Sequence, residues 1–147
     1  MTELIITRYL HFIAVFAIVG AIIAEQFLVS NKMSRYEIKR ISKIDGIYGL
    51  GAILVLVAGL LLWFAVGKPA QFYSRNWIFH TKLTMFVVLG LLSIYPTIFF
   101  LKNRKGDDLD TEITVPKAVI VLLRLELILI IIMPILATYM SLGIGTF

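Results

Sequence analysis

Residues 77–101 read WIFHTKLTMFVVLGLLSIYPTIFFL, an apolar run that carries His80 and Lys82 near its start. A helix crosses a bilayer with about 17 to 25 mainly apolar residues, so the run predicts a spanning helix. A charged side chain at mid-span costs about 2.5 to 3.5 kcal/mol even on the lenient insertion scale. Such a residue needs a partner or a role.

Three more runs pass the same length test, at residues 4–29, 44–66 and 116–140. The composition agrees, with 60% hydrophobic residues, where soluble chains hold about 45 to 50%. The runs are continuous rather than alternating, which sets aside a β-barrel. Short connections make consecutive helices antiparallel neighbours. The expected fold is therefore an all-α integral membrane protein, an antiparallel up-down four-helix bundle forming a single domain over residues 1–147.

The connections differ in charge. Lys32, Arg35, Lys39, Arg40 and Lys43 lie in segment 30–43, and Lys102, Arg104, Lys105 and Lys117 in segment 102–117, against Arg8, Lys68 and Arg75 on the other side. By the positive-inside rule the basic connections are cytoplasmic and both termini lie outside, as in a multi-pass protein of a bacterial inner membrane. The net charge of +5 thus sets topology, and nucleic acid is excluded as a partner. The absence of cysteine excludes disulfides, thiolate metal sites and covalent haem attachment. The N-terminal stretch has neither a basic n-region nor a small-x-small cleavage site, so the first helix is expected to be retained. Segment 30–43 is expected to lie as an amphipathic helical turn on the anionic leaflet.

Two polar layers follow. The first and third helices run in the same direction, so His11 and His80 are level in the outer half at 1.5 Å of rise per residue. Arg8 and Lys82 accompany them, and the fourth helix brings Met140 to the same depth. Haem b suits this set: His11 and His80 would ligate iron while Arg8 and Lys82 hold propionates, with Met140 as the alternative ligand. Copper held by His11, His80 and Met140 is a second reading, and a plain interhelical hydrogen bond between the histidines is a third. The inner layer holds Glu25, Asp45, Arg124 and Glu126. Arg124 and Glu126 stand about 200° apart around their helix. Glu126 therefore faces inward, in the protonated form that burial favours, and Arg124 either pairs with Glu25 or snorkels. Asp45, Gly49, Ala52 and Gly59 are read as a small-residue stripe on the second helix, and Tyr48 and Tyr95 as hydrogen-bonding groups of the inner layer.

RYLHF at 8–12, DGIYG at 45–49, SIYPT at 93–97 and the tail with Gly143 and Gly145 resemble a family of small bacterial membrane proteins with no assigned activity. His11, the pattern Trp77-x-x-His80-x-Lys82-Leu83 and Arg124 with Glu126 are more distantly similar to the HemJ-type protoporphyrinogen oxidases. That second resemblance implies haem b, His11 as a ligand, Lys82 as a polar contact and a tetrapyrrole substrate. The chain departs from it at Tyr95-Pro96, where Tyr-His is expected, and at Leu125, where Asn is expected.

Three functions are carried forward. The first is a haem b protein with a redox role, in which Glu126 and Arg124 serve protons or substrate as the catalytic pair. The second is porphyrinogen oxidation, with a tetrapyrrole and the quinone pool as partners. The third is a non-catalytic module, either a subunit of a homo-oligomer or membrane complex or a small transporter. The lipid bilayer is a partner in all three.

Overall fold

The computed structural model describes residues Met1–Phe147. Four helices are long and apolar enough to span a membrane: α1 (Thr2–Leu28), α2 (Arg35–Leu61, prolonged by a π-helical turn at Leu62–Val66), α4 (Trp77–Asn103) and α5 (Lys117–Ser141). A five-residue helix, α3 (Ala70–Ser74), links α2 to α4. Helix α1 packs on α2 and α5, and α4 packs on α5 and α2, so α1 and α4 stand diagonally across the bundle. Outward-facing side chains such as Phe16, Phe27, Leu50, Ile53 and Phe64 are exposed. They form the apolar belt that a bilayer requires.

Segment 30–43 differs from expectation. It forms no separate surface helix: Lys32–Ser34 is a strand, β1, and α2 begins directly after it at Arg35. A capping box explains the start. Ser34 Oγ accepts from the Glu37 N–H at 3.3 Å while Glu37 Oε2 accepts from the Ser34 N–H at 2.7 Å, so two donors at the helix end are satisfied reciprocally. Strand β1 pairs antiparallel with β2 (Glu112–Thr114), Met33 opposite Ile113, and Lys32 Nζ lies 3.2 Å from Glu112 Oε1. The ribbon joins the two basic connections. Beneath it Met33, Ile38, Ile41, Phe100, Val115, Val119 and Leu123 form one core cluster. A second cluster, with Ile18, Ile22, Tyr48, Leu89 and Ile130, fills mid-bundle.

The opposite end carries both termini. The C-terminal tail folds back onto the start of α4: the Trp77 N–H donates to the Gly145 carbonyl at 3.0 Å, and the Phe147 N–H donates to the Arg75 carbonyl at 2.9 Å. Asn76 is fully buried there. Its Oδ1 accepts from the Ile78 N–H at 2.9 Å and its Nδ2 donates to the Ile144 carbonyl at 3.1 Å. One side chain therefore caps α4 and holds the tail.

The tightest glycine contact lies outside the expected stripe, of which Gly59 also meets α1, at His11. A Cβ on Gly51 would stand 3.0 Å from Ile18 Cγ1 and 3.2 Å from the Ala14 carbonyl oxygen, whereas Gly49 has open space. Helices α1 and α2 thus approach at Gly51, about 200° around the helix from Gly49.

Candidate functional site

At the termini end, α1, α2, α3, α4 and α5 line a half-open cavity of about 380 Å³. That volume falls within the roughly 300 to 1,000 Å³ of small-molecule sites. Seventeen of its 21 lining residues are hydrophobic, and His11 and Lys82 are the only ionisable nitrogen bases among them.

Helix α1 presents His11 inward beside Gly59 of α2, where a Cβ would lie 3.7 Å from His11 Cε1. The missing side chain leaves the imidazole its room. His11 Nδ1 is buried against α2 without a well-aligned hydrogen bond, and the Val55 backbone of α2 lies within reach of the ring. Lys82 comes from α4, half-buried, and Met133 and Met140 from α5.

An aromatic group closes one side. Trp63 and Phe79 meet edge to face at 4.7 Å between centroids, Tyr73 and Phe79 at 5.5 Å, and Trp63 Nε1 donates to Ser74 Oγ at 3.2 Å. The π-helical turn at Leu62–Val66 sets Leu62 and Trp63 both on the cavity wall, and such turns concentrate at functional sites. Gly67 ends it: a Cβ there would run into the Leu62 carbonyl oxygen. The sequence reading missed Trp63, Tyr73 and Phe79. The readable signal was the Trp63-Phe64 pair ahead of Gly67-Lys68-Pro69.

The outer-layer set is only partly assembled. His11, Lys82 and Met140 meet at the cavity, but His80 is exposed, does not line it, and has its Nε2 2.8 Å from the Ser74 carbonyl oxygen. Two residues separate His80 from Lys82, about 200° of helix rotation, so one side chain faces the bundle and the other faces away. The paired-histidine arrangement and the copper set of His11, His80 and Met140 are therefore not formed. Arg8 is exposed and also stands outside the cavity.

In the other half of the bundle Glu25, Asp45 and Glu126 are all buried. Arg124 is exposed and forms no ion pair with Glu25; the molecule's one ion pair is Lys32 with Glu112. Glu126 and Arg124 therefore stand on different faces of α5 and are not paired with each other. Tyr48 is buried and donates to the Leu89 carbonyl at 3.4 Å, while Tyr95 is exposed on the outer face.

A family model described as a predicted membrane protein, DUF2214, matches residues 4–145. The chain belongs to that family. The match spans all four long helices and both polar layers, so the cavity and the buried carboxyls lie wholly within the DUF2214 region. No curated protein and no solved structure shows significant similarity to the chain.

Proposed function

We propose that the protein is a haem b protein of the bacterial inner membrane with a redox role, and that the cavity at the termini end takes the macrocycle. The carrying observation is His11, the one imidazole on the wall of an otherwise apolar cavity, with Lys82 the one ammonium beside it. The residues present fit the group. Aromatic and aliphatic walls suit a flat apolar ring, the His11 imidazole suits iron, and Lys82 offers an ammonium to a propionate carboxylate. Met140 on the cavity wall is the second ligand in this reading, in place of His80.

When bound, haem supplies one-electron oxidation and reduction. The chain's residues do the rest. His11 holds the group at α1, and Gly59 keeps the imidazole plane clear of α2. Lys82 orients the carboxylate edge. The Trp63, Tyr73 and Phe79 aromatic group excludes water, which strengthens the electrostatic contacts of Lys82 in the low-dielectric interior. The basic ribbon end faces the cytoplasm by its excess of Lys and Arg, which puts the cavity in the outer half.

The test is the visible spectrum of protein purified from haem-replete cells. A Soret band is expected in the wild type, lost in His11→Ala and shifted in Met140→Ala. A colourless wild type ends the proposal.

A further inference from the structure

The carboxyls in the ribbon half have no part in that cavity. Glu25 on α1, Asp45 on α2 and Glu126 on α5 are 1%, 6% and 1% exposed. They come from three helices yet lie close enough to act on one another electrostatically. No cation balances them. On α4 the facing groups are the hydroxyls of Ser93 and Thr97, on α2 the Tyr48 phenol, and Arg124 of α5 is exposed. Arg104 sits at the ribbon end of α4, with its Nη1 3.4 Å from Ser42 Oγ.

A second observation bears on what the group binds. Glu25 Oε1 and Glu126 Oε1 are buried and have no hydrogen-bond partner, whereas Asp45 Oδ1 accepts from Thr97 Oγ1 at 3.0 Å. Three ionised carboxylates in this setting would meet both the desolvation cost and their mutual repulsion. A proton on a carboxyl oxygen removes the charge.

There is also a way in. Between α2 and α4 runs a groove of about 450 Å³ that includes Ser42 and Arg104 at the ribbon end and Asp45, Tyr48, Ser93 and Thr97 deeper in. Gly46, Gly49 and Gly90 have no atom within 4 Å of an added Cβ, and their small size holds the groove open. The core layer of Ile18, Leu89 and Ile130 fills mid-bundle. Ile130 also lines the cavity and lies one turn from Glu126, about 6 Å along the helix.

We propose that Glu25, Asp45 and Glu126 form a proton-binding site, with Asp45 the member that the groove between α2 and α4 opens to the ribbon end of the bundle. It stands independently of haem. The site binds exchangeable protons within the bilayer, one helical turn from the cavity.

The test is infrared spectroscopy of the purified full-length protein in lipid vesicles. The other six carboxyl side chains, Glu3, Glu37, Asp107, Asp108, Asp110 and Glu112, are exposed to water. A carbonyl stretch of protonated carboxylic acid at neutral pH therefore reports the cluster. The expected result is such a band in the wild type, moved by transfer to D2O and reduced in each of Glu25→Gln, Asp45→Asn and Glu126→Gln. A wild type without the band, or a band that all three variants leave intact, overturns the site. The groove is tested by Gly49→Leu, which fills it while keeping all three carboxyl residues: the band keeps its amplitude and its D2O shift slows. An unchanged shift rate overturns the route. Sodium chloride against choline chloride is the last arm; loss of the band in sodium alone overturns the proton assignment in favour of a bound cation. The wild-type band and its D2O shift need no variant, so a misfolded mutant does not leave the proposal undecided.

Discussion

Gly145→Ala tests how the tail is locked over the termini end. Gly145 has φ of +93°, a conformation that costs a non-glycine residue about 1 to 3 kcal/mol. The added Cβ would also lie 2.7 Å from Asn76 Oδ1 and 2.8 Å from Ile78 Cγ1. Asn76 Oδ1 cannot retreat freely, because it caps α4 at the N–H groups of Ile78 and Phe79. Loss of such a cap costs about 1 kcal/mol, so strain and lost cap together give about 2 to 4 kcal/mol. That loss falls on the docking of the tail, which opens as a local unit. The control is Gly143→Ala, where φ is +81° but no atom stands within 4 Å of the new Cβ; only the backbone strain applies. The assay is amide hydrogen exchange in detergent micelles, read at Trp77 and Phe147, whose N–H groups are held in this contact. Gly145→Ala should speed their exchange about 30- to 1,000-fold, at a factor of ten per 1.4 kcal/mol, and clearly more than Gly143→Ala. Equal effects from the two variants would refute the steric argument at Asn76.

Other outcomes follow from the same geometry. Gly59→Leu should lower the haem content of purified protein by pressing on His11, whereas Gly20→Leu, which meets open space, should leave it unchanged. Ser34→Ala removes half of the capping box and should destabilise the start of α2 by about 1 kcal/mol, seen as faster exchange at the Glu37 amide. Asp108, fully exposed in the ribbon-end loop, accepts from the Asp110 N–H at 3.1 Å. That bond first, then Thr111 and Arg35, hold its carboxyl below the usual range. A depressed folded value means the contribution is present above the unfolded pKa and is lost as pH falls through the folded one. Carbon-detected titration should show Asp108 among the last carboxylates to protonate, and Asp108→Asn should remove the acid-side loosening of the 106–112 loop.

The four spans were legible because length and apolar continuity alone decide them. The separation of Arg124 from Glu126 was legible too, from two residues of helix rotation. The same rotation applies to His80 and Lys82, both expected at the site, of which the structure brings only Lys82 to the cavity, and to Gly49 and Gly51, of which Gly51 faces α1. Ser34 and Glu37 spell a capping box in the sequence, so the early start of α2 was readable from local chemistry. The ribbon of Lys32–Ser34 with Glu112–Thr114 was not. It joins segments nearly eighty residues apart, and three-residue strands carry no usable alternation. The cavity was legible in its polar members but not in its walls, since Trp63, Tyr73 and Phe79 become neighbours only through the π-helical turn and α3.

The central claim is that His11, alone of the two histidines, holds a haem in the cavity. The most direct measurement is the visible spectrum of three proteins purified side by side: wild type, His11→Ala and His80→Ala. The account predicts a Soret band in the wild type, the same band in His80→Ala and none in His11→Ala. A band that survives His11→Ala and disappears in His80→Ala would contradict it.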